Sequence, residues 1–271
     1  MKPAPFEYRN ARSAAQAVAM LGESEMAKAC GGSQSLGPML NLRLAQVESM
    51  VDLSRIDELK VFSVGKNMLR IGAAVTHARI EDGELPDCTL GLLPTVAAGI
   101  AYRAVRNRGT IGGSLAHADP AADWVNTMCL LDAAVVVVGP SGERSLSANE
   151  FFVGPFTTVL APDEVIVAVE VPCFSSGARW AYRKTCRKPG EFADAIAAAW
   201  VDPERGITRA LIGALGGMPH VIDSAEAVCD LRRPGGLARA VEQADIIDDY
   251  EREVHAVMLR RALDDLDRFT S

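Results

Sequence analysis

With 271 residues, the chain is long enough to form two domains, or one domain with an added lobe, and to bury a sizeable core. Its formal net charge of −7 argues against nucleic acid or an anionic membrane as a main partner. The first residues contain no apolar signal segment and no apolar run is long enough to span a bilayer, so we expect a cytoplasmic protein without a membrane span.

The six cysteines favour reduced, structural thiols over a metal centre. No pair has the C-x-x-C spacing of zinc ribbons or iron–sulfur sites, and no group of His, Cys and Asp has metal-ligand spacing, so we predict no metal site. The chain also lacks Walker, G-x-S-x-G and G-x-G-x-x-G spacings, which disfavours a nucleotide-binding regulator of those types.

The first half of the chain predicts short strands alternating with short helices. We expect a helix that is capped by Ser13 and ends at Gly22, and a second one that is capped by Thr76 and carries His77 and Ile80. The other predicted strands lie at 28–30, 47–53 and 69–73, and the other predicted helices at 41–45 and 90–103.

The centre of the chain predicts a helix followed by buried strands. Asp119 and Pro120 are typical of a helix start, because aspartate caps and proline fits the first helical position, so Asp123 is expected in the first turn. Ser147 is expected to cap a short helix that ends at residue 151. The predicted strands lie at 133–138 and 165–171, the second indicated by alternating valines.

The pattern changes after Pro172. Three strands are predicted at 180–186, 193–201 and 207–215, with a hairpin at Glu204–Gly206 between the last two. Helices are predicted from Ser224 onward and over 250–269. This order predicts a separate C-terminal α+β lobe with a three-stranded antiparallel sheet and helices, starting near residue 174.

Two glycine-rich stretches, far apart in the chain, carry the functional signal. The first is KACGGSQSLGP at 28–38, and the second is RNRGTIGGSLAHADPAAD at 106–123. Glycine lets backbone N–H groups approach a ligand closely, and consecutive amides in such a turn form a concave site for an anion. Because both stretches have basic residues beside them, we interpret them as two sides of a site for one extended diphosphate.

Residues 31–45, which begin in the first stretch, resemble the first flavin loop of the FAD-binding medium subunits of molybdenum hydroxylases, and residues 106–123 resemble the second. This family is typified by carbon monoxide dehydrogenase and the flavin domain of xanthine dehydrogenase. The residues from Ala181 to Lys184 and on to Phe192 and Ala193 also resemble the start of that family's C-terminal lobe. The resemblance implies an α+β fold: an FAD-binding domain of the vanillyl-alcohol oxidase (PCMH) type over 1–173, in subdomains 1–56 and 57–173, followed by the lobe 174–271.

The resemblance also implies that the chain binds FAD without a covalent link. Backbone amides of the first loop would bind one side of the pyrophosphate, and those of the second loop the other. Asp123 would bind the adenosine ribose, Ile166 would meet the adenine or flavin edge, and Lys184 would lie near the isoalloxazine. The complete expected set is Lys28, Cys30, Gly31, Gly32, Ser33, Gln34, Ser35, Leu36, Ile100, Thr110, Gly112, Gly113, Ser114, Asp123, Ile166 and Lys184, with no catalytic residue.

For several of these residues a purely structural role stays open. Asp123 also complements the dipole at a helix N-terminus, Ile100 and Ile166 also suit a core, and Lys184 also suits a solvated strand surface. Cys30 is expected to be a packed thiol beside the loop.

By resemblance, the chain is an electron-transfer subunit. It would receive electrons from a small subunit with two two-iron clusters, while a large molybdopterin subunit hydroxylates the substrate, in a dimer of heterotrimers. It would pass the electrons to NAD⁺ or another acceptor, because the flavin carries the redox chemistry. Two alternatives stay open: a stand-alone flavin oxidoreductase that acts on a small molecule, and an assembly subunit that has lost FAD.

Overall fold

The computed structural model describes residues 2–268, which fold into α-helices and β-sheets. The strands are β1 (Glu7–Asn10), β2 (Ala27–Cys30), β3 (Ser49–Asp52), β4 (Phe62–Val64), β5 (Met68–Gly72), β6 (Ala134–Gly139), β7 (Gly142–Ser147), β8 (Phe152–Gly154), β9 (Thr157–Thr158), β10 (Val165–Pro172), β11 (Arg179–Thr185), β12 (Ala195–Asp202), β13 (Ile207–Gly213) and β14 (His220–Ile222). The helices are α1 (Ala14–Leu21), α2 (Leu36–Asn41), α3 (His77–Glu81), α4 (Leu92–Ala98), α5 (Arg103–Arg106), α6 (Ile111–His117), α7 (Asp123–Leu131), α8 (Ala148–Phe151), α9 (Ala225–Asp230), α10 (Gly236–Gln243) and α11 (Asp249–Arg268).

The strands form three larger sheets and one small ribbon. The first is parallel in the order β1-β3-β2, the second is antiparallel in the order β4-β5-β10-β6-β7, and the third is antiparallel in the order β11-β12-β13-β14. The strands β8 and β9 form the ribbon. The carboxyl ends of β2 and β3 in the parallel sheet lead directly into loops, which is where α/β folds place their ligands.

Strand β12 of the C-terminal sheet is covered on both faces. Ile196, Ala198 and Trp200 pack on the core that contains β5, β6, β10 and α7, while the alternate residues, from Ala195 to Ala199, pack against α10 and α11. Because side chains alternate across a strand, a strand covered on both sides needs a continuous apolar run. The sequence of β12, AIAAAWVD, has that pattern.

Every residue of α7 is buried, which makes this helix the centre of the molecule. It packs on the central sheet on one side and on β12 and β13 on the other. The side chain of Asp123 at its N-terminus is therefore held between the central sheet and the C-terminal lobe.

Several sequence predictions are confirmed. The hydroxyl of Ser13 accepts a hydrogen bond from Gln16 N at the start of α1, and the hydroxyl of Thr76 accepts one from Arg79 N at the start of α3. Ser147 and Ser224 cap α8 and α9 in the same way. The hairpin at Pro203–Arg205 and Gly206 joins β12 to β13 as expected.

Three predicted helix boundaries were wrong. The helix expected at 41–45 lies earlier, as α2, with Pro38 in its first turn, where its missing N–H costs nothing. The helix expected at 90–103 is two helices, because Ala101, with φ of 43°, breaks the chain direction after α4. Asp119 does not cap α7; its carboxylate accepts a hydrogen bond from Ala121 N in a turn, and α7 begins at Asp123.

Six strands within residues 2–268 were not predicted from the sequence: β1, β4, β7, β8, β9 and β14. The C-terminal sheet has a fourth strand, β14, which pairs with β13, and the central sheet gains β7, which pairs with β6. Both strands are short or polar, so neither has a clear hydrophobic period. The last predicted helix is α11, but residue 269 lies outside the described residues. Within residues 2–268, no helix combines the length and apolar character needed to cross a membrane.

The contact between Gly213 and α7 provides a test of this packing. A Cβ at Gly213 would lie 1.7 Å from Oδ1 of Asn126, whose amide nitrogen is already held by the carbonyls of Pro120 and Ala122. We predict that Gly213→Ala lowers the free energy of unfolding by about 1–3 kcal/mol, as overpacking does. The control is Gly216→Ala, since a Cβ there meets no atom within 4 Å. Equal denaturant midpoints for the two variants would contradict the packing described.

Candidate functional site

The two glycine-rich loops touch each other through their backbones. A Cβ at Gly32 would lie 1.9 Å from the carbonyl oxygen of Arg108 and 2.7 Å from Cα of Gly109. A Cβ at Gly31 would lie 2.7 Å from Oγ1 of Thr110. These glycines are thus required for the approach of one loop to the other, in addition to any approach of a ligand.

The loops line the same cleft, which has a volume of about 690 Å³. Of the expected site residues, Lys28, Cys30, Gly31, Gly32, Ser33, Gln34, Ser35, Leu36, Ile100, Thr110, Gly113, Ser114 and Asp123 line it. Gly112, Ile166 and Lys184 are not among the lining residues. The long-range pairing inferred from the sequence is therefore present in the fold.

The first loop offers free hydrogen-bond donors to the cleft. Within residues 2–268, no acceptor is bonded to the backbone N–H groups of Gly31, Gly32, Gln34 and Ser35. Ser33 has a φ of 61°, and a left-handed residue in such a turn is typical of loops whose amides converge on an anion. Lys28 adds a cation on the same wall of the cleft. This wall therefore suits a negatively charged group.

The second loop contributes differently from what the sequence predicts. The N–H of Gly112 donates to the carbonyl of Ala73 at 2.9 Å, and the N–H of Gly113 donates to Oγ1 of Thr110 at 3.1 Å. The N–H of Ser114 bonds the carbonyl of Thr110 at 3.0 Å. These amides are already engaged, so the second loop presents the hydroxyls of Thr110 and Ser114 to the cleft rather than a row of free N–H groups.

Gly112 serves packing rather than ligand approach. A Cβ at this position would lie 2.5 Å from Cβ of Ala73, on the side of α6 that faces the central core. Ile166 likewise packs in the hydrophobic core, where it is 4% exposed, so its side chain has the structural role that the sequence left open.

Asp123 faces the cleft and is held by two residues of the C-terminal lobe. Lys184 Nζ lies 2.9 Å from both carboxylate oxygens, and the hydroxyl of Tyr182 donates to Oδ1 at 2.8 Å. Lys184 Nζ also donates to the carbonyl of Gly99 at 2.7 Å. The ammonium of Lys184 thus fixes Asp123 and the end of α4, and the solvated strand surface that the sequence left open for this lysine is not observed.

Tyr182 acts only as a donor in this group. Burial, and then the charge and hydrogen bond of Asp123, raise the pKa of Tyr182 well above its ordinary value. The phenol therefore keeps its proton, and Asp123 is oriented by two donors while part of its carboxylate borders the cleft.

His77, which the sequence places on the helix capped by Thr76, also lines the cleft. Its Nδ1 accepts a hydrogen bond from Nε1 of Trp124 at 2.9 Å, which leaves the hydrogen of the neutral ring on Nε2. Burial, with a smaller effect of the Arg106 charge, lowers the pKa of His77 to about 4. The ring is thus neutral near pH 7, and Gly109 packs closely against it.

Two further segments close the cleft, and neither was predicted as part of the site from its residues alone. Thr158 to Glu164 contribute from the loop before β10, and Gly190 to Phe192 contribute from the C-terminal lobe. Gly190 has a φ of 90° and packs against the ring of Tyr102, where a Cβ would lie 2.9 Å from the nearest ring carbon. Phe192 is 64% exposed at the cleft. Only the fold brings these segments to the glycine loops.

The cleft has a donor-rich region, and four acidic side chains, Asp119, Asp123, Glu164 and Glu191, also line it. Amides, hydroxyls and Lys28 gather at the two loops, while Asp123 supplies a carboxylate from the N-terminus of α7. Burial raises the pKa of the Cys30 thiol, so this cysteine is a packed neutral group. Among the described residues, no group of three or more His, Cys, Asp or Glu side chains is arranged to hold a metal ion. The arrangement suits an extended ligand with both an anionic group and hydroxyls.

Comparisons with known proteins agree on one family. The family described as "FAD binding domain in molybdopterin dehydrogenase" matches residues 4–174. The chain is 38% identical to the carbon monoxide dehydrogenase medium chain of Hydrogenophaga pseudoflava, over 90% of this chain and 83% of that relative. It is 37% identical to the 6-hydroxypseudooxynicotine dehydrogenase complex subunit alpha of Paenarthrobacter nicotinovorans, over 84% of this chain and 78% of that relative.

Solved structures give the same result. A chain of carbon monoxide dehydrogenase from Hydrogenophaga pseudoflava matches with a TM-score of 0.87 and 33% identity, covering 98% of both chains. A chain of quinoline 2-oxidoreductase from Pseudomonas putida 86 matches with a TM-score of 0.86 and 31% identity, covering 98% of this chain and 99% of that one. The similarity therefore extends through the C-terminal lobe.

The ion pair of Asp123 and Lys184 can be tested by removing the cation. We predict that Lys184→Met lowers the free energy of unfolding by about 3 kcal/mol, because it leaves a largely buried carboxylate without its charge partner. The matched control is Lys188→Met, at an exposed lysine nearby, with an expected change within about 0.5 kcal/mol. Chemical denaturation measures both variants, and similar stabilities would show that the pair does not hold the lobe.

The buried His77 predicts an acid-dependent loss of stability. Because its pKa of about 4 in the folded chain lies below the ordinary 6.5, the unfolded state binds the proton first as pH falls. The wild type should therefore lose about 3 kcal/mol of unfolding free energy relative to His77→Gln as pH falls from 6.5 to about 4. Stability curves measured between pH 7 and pH 4 provide the check. Parallel curves would contradict a buried neutral ring.

Proposed function

This chain belongs to the family of FAD-binding domains in molybdopterin dehydrogenases, and we propose that it holds FAD in the cleft between its two glycine loops as an electron-transfer subunit. It is thus a flavoprotein subunit of the molybdenum hydroxylase dehydrogenases. The observation that carries the proposal is the set of unbonded amides of Gly31, Gly32, Gln34 and Ser35 facing a cleft that also contains the second loop.

The pyrophosphate fits the donor-rich region of the cleft. It carries about two negative charges, and hydrogen bonds from N–H groups to a charged oxygen are roughly twice as strong as neutral ones. The first loop would supply the amides, and the hydroxyls of Ser35, Thr110 and Ser114 would supply further donors. Since the glycines allow no Cβ between these groups and the ligand, the site would hold FAD without a covalent link.

Asp123 would accept a hydrogen bond from a ribose hydroxyl. Its carboxylate is already oriented by Lys184 and Tyr182, so binding would need no rearrangement of this side chain. Lys184 acts here as a positioning residue, because its ammonium contacts Asp123 and the carbonyl of Gly99 and it does not line the cleft.

Apolar residues would contact the flavin ring. Ile100 and Ala101 line the cleft just beyond α4, and the exposed ring of Phe192 lies at its edge. An aromatic side chain with this exposure can stack on a second flat ring. When bound, FAD supplies a redox centre that can take electrons singly and release them as a pair, while the protein supplies position and electrostatics.

We propose that the chain works inside a larger complex. Relatives are named a medium chain and a complex subunit, which supports an assembly of several different chains. In the proposed assembly, a small subunit would carry two two-iron clusters and a large subunit the molybdopterin, in a dimer of heterotrimers. Electrons would enter from the iron–sulfur subunit and leave to NAD⁺ or another acceptor. No residue of this chain would act on the organic substrate.

We also propose the division into domains that the sequence predicts. Residues 1–173 would form the FAD-binding domain of the vanillyl-alcohol oxidase type in subdomains 1–56 and 57–173, and residues 174–271 would form the C-terminal lobe. The change of sheet between β10 and β11 and the end of the family match at residue 174 support this division.

A charge placed on the first loop tests the FAD site. Ser35 occupies the N-cap position of α2, but its hydroxyl makes no capping hydrogen bond there, so Ser35→Asp removes no such bond and should fold normally. Its carboxylate would oppose the pyrophosphate at the free amides, and we expect at least about a tenfold loss of FAD affinity. The matched control, Ser224→Asp, caps α9 far along the chain and should keep its flavin. Flavin absorption per protein and FAD titration of the stripped chain measure the effect.

The outcome separates the proposal from its alternatives. Equal flavin content in Ser35→Asp and Ser224→Asp would place FAD elsewhere, and absence of FAD uptake by the wild type would favour the assembly subunit. Reduction of the flavin by a small organic molecule, with no partner chain present, would favour the stand-alone oxidoreductase.

A further inference from the structure

Two cysteines outside the cleft lie side by side, although they are far apart in the sequence. Cys88 lies in the segment between α3 and α4, and Cys173 directly follows β10. The backbone N–H of Phe174 donates to the carbonyl of Cys88 at 2.8 Å, and the N–H of Cys173 donates to the carbonyl of Asn67 at 2.8 Å. The first of these bonds fixes the two cysteine segments against each other.

Both cysteine side chains are half-buried, and both pack against the same hydrophobic core. Burial, and then the hydrogen bond and charge of Cys88, raise the pKa of Cys173 to about 11, with a smaller opposite effect from Arg205. Cys173 therefore keeps its proton near pH 7, so we assign the first attack on an oxidant to Cys88. The half-buried position leaves a small oxidant access to the pair.

We propose that Cys88 and Cys173 are a redox-active pair that forms a reversible disulfide when the protein meets a peroxide. The Cys88 thiolate attacks one peroxide oxygen; the S–O bond forms, the O–O bond breaks, and hydroxide leaves. Cys173 then attacks the sulfenic sulfur; the S–S bond forms, the S–O bond breaks, and the departing hydroxide takes the Cys173 proton and leaves as water. In sum, two thiols lose two hydrogens and two electrons, and one hydrogen peroxide becomes two waters.

Cys30, Cys129 and Cys229 differ from this pair in exposure, while Cys186 is half-buried as the pair is. Cys30 and Cys129 are buried, so a peroxide would not reach them readily. Burial also raises the pKa of Cys129 to about 12, so this thiol keeps its proton. Cys229 is exposed on α9, at the far side of the C-terminal lobe. Cys229 therefore offers a matched control for oxidation of an accessible thiol.

The disulfide would join two segments that meet at a bend in the chain. Leu90 and Gly91, which follow Cys88, both have left-handed φ angles, 51° and 84°. The carbonyl of Leu90 accepts a hydrogen bond from Nε1 of Trp180 on β11, and α4 begins immediately after the bend. A bond from Cys88 to Cys173 would thus tie the start of α4 to the end of β10, where the chain enters the C-terminal lobe.

Peptide mapping of the full chain, as it purifies, tests the proposal directly. Trypsin cleaves after Lys and Arg, so Cys88 falls in peptide 80–103 and Cys173 in peptide 145–179, each with a single cysteine. After treatment with hydrogen peroxide and alkylation of the remaining thiols, we expect these two peptides to be joined, with a loss of two hydrogens. Reduction should separate them again.

Thermal unfolding gives a second readout. Oxidation should raise the Tm of the wild type and of Cys229→Ser, because a cross-link restricts the unfolded chain, and reduction should reverse the shift. Cys88→Ser and Cys173→Ser should show no such shift. The proposal is overturned if the joined peptide does not form, if Cys88 pairs with another cysteine, or if both peptides carry only sulfinic or sulfonic acid.

Discussion

The backbone contact between the two glycine loops is the constraint on which the site depends. Gly32 lies against the carbonyl of Arg108, and Gly31 lies against Thr110, at distances that leave no room for a side chain. This contact joins the end of β2 in the parallel sheet to the start of α6 beside the central sheet. The cleft exists because two parts of the chain meet there, and the free amides of the first loop face into it.

The C-terminal lobe completes this site through one buried ion pair. Lys184 and Tyr182 on β11 hold Asp123 at the N-terminus of α7, and Lys184 also bonds the carbonyl that ends α4. Burying charges is costly unless they are paired and hydrogen-bonded, and here each charge has more than one polar partner. The lobe therefore positions a cleft residue, in addition to placing Phe192 at the edge of the cleft.

The combination of donors and one fixed carboxylate is what suits the cleft to a dinucleotide. A pyrophosphate needs donors along its length, while a ribose needs an acceptor, and the protein supplies these from elements of different sheets. The chain itself contributes binding and orientation, so the redox step would belong to the cofactor. The dithiol of Cys88 and Cys173 lies apart from this cleft, at the bend that leads into the lobe.

The sequence by itself determined several helix caps and the family. Capping residues such as Ser13 and Thr76 act within one helical turn, so the sequence shows them directly. The glycine loops resemble those of one family, and the match to that family covers residues 4–174. The tertiary structure alone decided which groups remain free for a ligand. Gly112 and Gly113 look like ligand-binding amides in the sequence, but Ala73 and Thr110 accept their hydrogen bonds. Lys184 is likewise turned to Asp123. The sequence did not predict this contact, because a hydrogen-bond partner from a distant segment has no signature in the local sequence.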